Sequence, residues 1–326
     1  MAILASEKVL TLDYWKLAHD LKVGDVVFDS CGKPRKVTVV QEYQTEHCYR
    51  ISFNDHLMIG GDKHLKFAME NRIYRSTTHR YKGLRKRRVK PKEISVEELT
   101  TQSLLDKHER TKYSVPNTEP IQLPHQTLPV PPFIFGYWFI SKRKDKTMAP
   151  PLGCESIVHE EFKNHGYKVI EKYYLKKNGR RTFKTIPTVD SHLIPNIPTS
   201  LPNNYLLASV EQRIELLRGI LYGRSRHYNK KRKLFRISGL SNSKLLTQIQ
   251  QLIESLGHST RMELDSVVFK SMIKLMEEQE ISKTLVHYGR RFIKSIRKLP
   301  SQLCVHIETD GEDNSLLVGE GFIPCH

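Results

Sequence analysis

The chain has 326 residues, 38% hydrophobic and 9% aromatic, which supplies enough apolar material for packed cores and excludes wholesale disorder. At this length two domains, or one large one, are expected, and no run of residues approaches the roughly 18 apolar positions that a membrane span requires. Lys and Arg exceed Asp and Glu by 53 to 35, a net charge of +18 that attracts polyanions and makes nucleic acid the default partner.

From Lys8 to about Phe67 the text reads as strands and tight turns. The valine-rich runs "KVGDVVF" and "RKVTVVQEYQ" are parted by "DSCGKP", and "CYRISF" and "LMIGGDKHLKF" continue the pattern. Residues 80–92, "RYKGLRKRRVKPK", form a charge run expected to be a solvated arm, with Arg85, Lys86, Arg87 and Arg88 placed to meet phosphates. "SVEELTTQSLLD" predicts a short helix, with Ser95 and Glu98 at capping-box spacing. Residues 114–132 contain six prolines, a density that argues against both a helix and a central strand; a linker and a domain boundary are expected there.

Beyond the linker the texture becomes helical. "FIFGYWFISK" is an apolar stretch entered through Pro131 and Pro132, and "CESIVHEEFKNHG" predicts a helix stopped by Gly166. "YKVIEKYYLKKNGRRTFKTI" alternates and turns at Asn178 and Gly179, a hairpin signal. "SVEQRIELLRGILY" has Ser209 and Gln212 as a capping box and Val210, Ile214, Leu217 and Leu221 on one stripe. "HYNKKRKLFRISG" reads as a basic hairpin, and "SNSKLLTQIQQLIESLG" as an amphipathic helix ending at Gly257. Residues 131–187 and 209–257 share an order of glycine-bearing apolar helix, basic strand pair and amphipathic helix, a weak internal duplication. Strand-like text returns from Arg290 in "RFIKSI", "CVHIETD" and "SLLVGEGFI". An α/β unit inserted in a β domain has this organisation.

The five cysteines, at 31, 48, 154, 304 and 325, are odd in number, widely spaced and without a C-x-x-C pair. A disulfide framework and a structural zinc site are therefore not expected, and a reducing interior is. The start "MAILASEKVLT" lacks the basic and apolar regions of a signal peptide, so a cytoplasmic or other intracellular location is expected. No Gly-x-Ser-x-Gly occurs and no cysteine has a papain-like context, which leaves a hydrolase triad without support.

"KVLT…YWKLAHDLKVGDVVFDSCGKPRKV" resembles the opening of inteins, the self-splicing members of the hedgehog/intein family, and "LLVGEGFIPCH" resembles their closing strand and penultimate histidine. "FGYWFISK" and "LLRGILYGRS" resemble the two LAGLIDADG helices of the homing endonucleases that inhabit such inteins. "HLIPNIPTSLPNNYLLASVEQRIELLRGILYGRS" is similar to the approach to the second of them. The resemblance implies a β-rich hedgehog/intein horseshoe domain, discontinuous in sequence, with an inserted α+β LAGLIDADG-type domain of two pseudo-repeats. The boundaries it implies are 2–122 and 286–326 for the splicing domain and 123–285 for the insert. The implied reaction is autocatalytic excision from a host protein with ligation of the flanking segments, the exteins.

What the resemblance implies for single residues follows. Ala2 takes the first position, counted back from "VLT" at Val9 to Thr11, where a nucleophilic cysteine is usual. Alanine cannot form the N-terminal thioester; either a cysteine has been replaced, or the chain is of the minority kind that begins with alanine and lets the downstream nucleophile attack directly. His64 in "GGDKHLKF" matches the histidine that protonates the upstream scissile amide, with Asp62 beside it, while Gly61 stands where threonine is common. His306 occupies the place of a catalytic Asp or Cys, with Cys304 and Asp310 nearby, and His326 matches the penultimate histidine. The asparagine that would follow His326 and the nucleophile after it are not in the sequence, so the chain as given is expected to be quiet in splicing. Cys325 is expected to pack or to tune His326.

The two LAGLIDADG helices should approach through Gly136 and Gly219 and end in aspartates that hold Mg2+. Ser141 and Arg224 stand at those ends, so loss of cleavage is expected; Mg2+ is expected only for an intact endonuclease, and no cofactor for splicing. Binding of double-stranded DNA survives in this reading, with Lys176, Lys177, Arg180, Arg181, Arg226, Lys230, Lys231 and Arg232 as contacts and Tyr173, Tyr174 and Tyr228 as further groove contacts. A monomer is expected. Two rival readings remain: a DNA-binding protein or regulator on a LAGLIDADG scaffold, and an active nuclease using other carboxylates such as Glu155 or Asp145.

Overall fold

A computed structural model describes residues 1–71, 92–141, 155–175, 181–187, 199–223, 226–240, 242–271, 273–276, 279 and 290–326. The chain divides into two compact units: Met1–Leu123 with Glu254–Ser259 and Thr284–His326, and Pro124–Ile253 with Thr260–Lys283. No helix among the described residues is long and apolar enough to cross a membrane.

The first unit opens with β1 (Ala2–Leu4), β2 (Lys8–Leu10) and β3 (Trp15–Leu17) and one 3-10 turn at Ala18–Asp20. There follow β4 (Val26–Phe28), β5 (Pro34–Thr45), β6 (Cys48–Phe53), β7 (Met58–Asp62), β8 (Lys66–Asn71), β9 (Lys92–Ser95), helix α1 (Val96–Thr100) and β10 (Tyr113–Pro116). The second unit holds α2 (Pro132–Ser141), α3 (Glu155–Asn164), β11 (Val169–Leu175), β12 (Arg181–Pro187), α4 (Asn203–Leu206) and α5 (Val210–Gly223). It continues with β13 (Arg226–Asn229), β14 (Leu234–Ile237), α6 (Ser243–Glu254), β15 (Thr260–Glu263) and β16 (Ser266–Phe269). The chain closes in the first unit with β17 (Arg290–Lys298), β18 (Gln302–Thr309), β19 (Leu316–Val318) and β20 (Ile323–Cys325).

In the first unit the two ends of the chain interleave. One ten-stranded sheet runs β4-β5-β18-β1-β7-β6-β17-β10-β8-β9, and a four-stranded sheet runs β20-β19-β2-β3. Period-two alternation gives the large sheet a core face and a second face. Ile3, Ile51, Ile59, Val305 and Ile307 enter the core with Val9, Leu316, Val318 and Ile323 of the smaller sheet. Leu4, Cys48 and Cys304 form a small separate apolar cluster with Tyr43 packed against it. The turn between β4 and β5 is set by Asp29, whose Oδ1 accepts the N–H groups of Cys31 and Lys33 at 2.9 Å. Ser95 caps α1 by accepting the Glu98 N–H, as its spacing predicts.

The expected linker corrects itself at its first residues. Tyr113–Pro116 is a strand lying between β17 and β8, inside the sheet. Pro116 is its last residue, where a missing N–H removes little from the ladder.

In the second unit α2 and α5 meet backbone to backbone. A Cβ on Gly136 would lie 2.4 Å from the Leu216 carbonyl oxygen, and one on Gly219 would lie 2.1 Å from that of Phe133. Ser209 and Gln212 form the expected reciprocal capping box, each side chain accepting the other's N–H. Gly166 and Gly257 end α3 and α6 in the left-handed region, with φ +76° and +82°. β11 and β12 pair antiparallel, as do β13 and β14 around the basic turn; Asn178 and Gly179 lie outside the described residues. Two details differ from expectation. The buried side of α5 runs through Arg213, Leu216, Leu217, Ile220 and Leu221, while Val210 and Ile214 are only half-buried. The two halves do not share one order among the described residues: helix, helix, strand pair in 131–187, against helix, strand pair, helix in 209–257. Residues 142–154 lie outside that description.

Candidate functional site

The second face of the large sheet gathers the residues singled out at both ends of the chain. Ala2 lies opposite His306 across β1 and β18, and Leu4 opposite Cys304. Met1 and Ile307 exchange both backbone hydrogen bonds: the Met1 amine donates to the Ile307 carbonyl at 3.2 Å, and the Ile307 N–H donates to the Met1 carbonyl at 2.9 Å. Ala2 and His306, one step on, are therefore a non-hydrogen-bonded pair, the arrangement in which facing side chains come closest. On the other flank Ile3 pairs with Gly61, which sets Ala2 beside Asp62 on β7. A Cβ on Gly61 would lie 2.7 Å from the Ala2 carbonyl oxygen. The absent threonine thus has a steric reason.

Asp62 is buried and fully engaged. Its Oδ1 accepts the backbone N–H groups of His64 at 2.9 Å and Leu65 at 3.0 Å, and its Oδ2 accepts the Tyr43 hydroxyl at 2.7 Å. Burial first, then the Asp62 carboxylate, pushes the Tyr43 phenol well above its ordinary pKa. His64 is exposed beside it. The His306 Nε2 stands 3.0 Å from Glu308 Oε1 on the same strand. A carboxylate only accepts, so Nε2 carries a proton and Nδ1 is the acceptor of the neutral ring. Gln41, Tyr43, Thr45, Asp62, Lys63, His64 and His306 line a cleft of about 410 Å³.

The far end of the chain reaches the same unit. The His326 N–H donates to the Lys66 carbonyl at 2.9 Å, and the Lys66 N–H returns a bond to the His326 carbonyl at 3.0 Å. Both ring nitrogens of His326 are buried with no hydrogen-bond partner among the described residues. Burial lowers the Met1 amine below its ordinary pKa, partly offset by Glu308, Asp62 and Cys325. Cys325 is buried, and burial, then Glu7, pushes its thiol well up; it packs in the core. Glu7 is itself buried, with Oε1 accepting from Arg50 at 2.8 Å and from the Gly60 N–H at 2.9 Å. Asp310 accepts the Lys36 N–H in a turn beyond β18 and takes no part in the cleft.

Sequence reasoning picked out Ala2, Asp62, His64 and His306, which the fold brings together, and missed Tyr43 and Glu308. Glu308 had a signal, since His-x-Glu in a strand puts both side chains on one face. Tyr43 had none, because its partner is three strands away in the sheet.

In the second unit Lys230, Lys231 and Arg232 are exposed in the turn between β13 and β14. Tyr228 packs against Phe235 with the rings tilted, their centroids 4.8 Å apart. Ser141 is the last residue of α2, Arg181 opens β12 and Arg226 opens β13. Arg85, Lys86, Arg87, Arg88, Lys176, Lys177, Arg180 and Arg224 lie outside the described residues. Among the described residues no three His, Cys, Asp or Glu are grouped to hold a metal ion.

No family model matches the chain. The replicative DNA helicase DnaB of Mycobacterium intracellulare is 25% identical over 341 residues, covering 96% of this chain and 56% of the helicase, so the chain spans about half the length of that relative. Solved structures that are similar in part include the MchDnaB-1 intein, at TM-score 0.20 and 23% identity over 21% of this chain and 53% of that one. The gp41-1 intein has TM-score 0.23 and 16% identity over 35% and 74% of the two chains. The homing endonuclease I-DmoI, solved with DNA and Mn, has TM-score 0.29 and 13% identity over 49% and 96%.

Proposed function

We infer that this chain is an intein carrying an inserted LAGLIDADG-type domain. Residues 2–122 and 286–326 form the splicing domain, discontinuous in sequence, and 123–285 the insert, apart from Glu254–Ser259, which belongs to the first compact unit. The observation that most supports this reading is the pairing of Ala2 with His306, with Asp62 on its other flank.

With Ala2 as first residue, Met1–Ala2 is the upstream junction. Its carbonyl oxygen already accepts the Ile307 N–H at 2.9 Å, a donor that would stabilise negative charge as that oxygen becomes an oxyanion. Alanine supplies no nucleophile, so attack on this carbonyl falls to a downstream Cys, Ser or Thr. His64 would hand a proton to the departing Ala2 nitrogen, and His306, held through Nε2 by Glu308, offers Nδ1 as a base. His326, with both ring nitrogens free of partners, would serve the downstream junction by polarising the bond that an asparagine severs.

The insert is proposed to bind double-stranded DNA through the exposed Lys230, Lys231 and Arg232 and not to cut it. At the two positions the resemblance assigns to metal-holding aspartates the sequence has Ser141 and Arg224, a hydroxyl and a guanidinium, which do not fit Mg2+, since it takes carboxylate oxygens. No cleavage step is therefore derived. The similarity to a replicative helicase supports a host protein of DNA replication.

Splicing is tested by setting the chain between two reporter proteins, with Ala2→Cys, an asparagine after His326 and a downstream cysteine. Ligated reporters are expected; reporters left both uncut and unjoined would overturn the assignment. Gel-shift titration in rising salt tests the insert: affinity should fall steeply, and a flat response would deny the phosphate contacts.

A further inference from the structure

The Tyr43–Asp62 hydrogen bond crosses the splice site. Tyr43 is on β5 and Asp62 on β7, and the sheet order β5-β18-β1-β7 puts two strands between them. Register fixes the face: Tyr43 lies opposite Cys304, Cys304 opposite Leu4, and Ala2 opposite His306. Side chains of strand residues two apart share a face, so Tyr43, His306, Ala2 and Asp62 are on one side of the sheet. Three strand spacings, roughly 14 Å on a flat sheet, exceed what a tyrosine and an aspartate joined by one hydrogen bond can span, so the sheet is curved here, with Tyr43 packed against Cys304 and Leu4 on its way to Asp62.

We propose that Tyr43 is a positioning residue of the upstream junction: its hydroxyl holds the Asp62 carboxylate, and that carboxylate fixes the turn presenting His64. The proposal rests on the splicing reading. Asp62 spends Oδ1 on the His64 and Leu65 N–H groups and Oδ2 on Tyr43, so both of its oxygens act as acceptors within the fold. Its part is to tie the backbone at His64 to a strand on the far side of Ala2. Removing the hydroxyl frees Oδ2, lets the carboxylate rotate and loosens the turn. Burial and the carboxylate hold the phenol protonated, so the donor persists through the working pH range.

Tyr43→Phe removes one oxygen and tests this in the reporter-flanked chain. Upstream-junction cleavage should fall about tenfold, the size expected for losing a hydrogen bond to a charged group, while downstream cleavage stays within about twofold. Asp62→Asn should give the same selective defect, and adding Tyr43→Phe to Asp62→Ala should cost nothing further. Unchanged upstream cleavage in Tyr43→Phe, or equal losses at both junctions, would overturn the proposal. Should the parent chain cleave at neither junction, the splicing reading fails by itself. NMR of the unmodified chain then decides the positioning role alone: the His64 ring signals should shift in Tyr43→Phe, and identical spectra would refute it.

Discussion

Gly61 shows how little room the first residue leaves. A Cβ there would lie 2.7 Å from the Ala2 carbonyl oxygen and 2.7 Å from a Leu65 methyl. The resemblance leads one to want a threonine at this place, yet a threonine would push β1 off β7. Gly61→Thr is expected to lower stability by about 1–3 kcal/mol and to slow the upstream junction. Chemical denaturation and reporter cleavage check both, and a fully stable Gly61→Thr would mean that β1 slides freely. The cysteines make the complementary point. Burial raises the Cys304 thiol strongly, with Cys48 Sγ 3.8 Å away adding to the effect, and it raises Cys325 as well. A thiol held protonated is a weak nucleophile. Cys304 and Cys325, both inside sequence motifs, are thus packing residues, a distinction that spacing could not make because it turns on burial.

The contact between α2 and α5 was legible from two glycines in apolar runs. What the sequence did not disclose is that the neighbours are main chain. A Cβ on Gly219 would meet the Phe133 carbonyl oxygen at 2.1 Å and the Tyr137 nitrogen at 2.8 Å, and backbone cannot step aside as a side chain can. Gly219→Val is expected to cost about 3 kcal/mol or more and to unfold the second unit, as circular dichroism would show. Gly166→Ala is the control: φ is +76° with nothing within 4 Å, so only the left-handed strain of about 1 kcal/mol is expected. Equal effects would remove close helix approach as the cause. Caps and hairpins were readable because their signals lie within a few residues. The α5 stripe was misplaced because a charged residue reads as outward, yet Arg213 is fully buried, with Nε donating to the Ala208 carbonyl at 2.9 Å and burial holding its guanidinium down at about 9. β10 was hidden by counting prolines without regard to which end of a strand they occupy.

Long-range pairing was beyond local reading altogether. β18 enters between β5 and β1 from the other end of the chain, and only the resemblance pointed to such interleaving. The segment Glu254–Ser259 is the harder case, since nothing in its text marks it as part of the first unit. It is tied there by the Ile121 N–H to the Ser255 carbonyl at 3.0 Å and by Asn117 Nδ2 to Ser259 Oγ at 2.9 Å. Arg291, buried, pairs with Asp55 at 2.7 Å and with Glu254 at 3.1 Å. His258 of this segment is buried, and desolvation lowers its pKa from 6.5 to about 4. Between those values the unfolded chain takes up a proton at this ring and the folded chain does not. The unfolded state then binds more protons, so stability rises with pH through that window and is lost as pH falls from about 6.5 towards about 4. The loss from this one group is at most about 3 kcal/mol. Carboxylates titrate over part of the same range, so the informative quantity is the difference between parent and His258→Gln in urea-derived stability across the window. The parent curve should fall more steeply by an amount of that order, and parallel curves would mean that the ring protonates as readily in the folded chain as in the unfolded one.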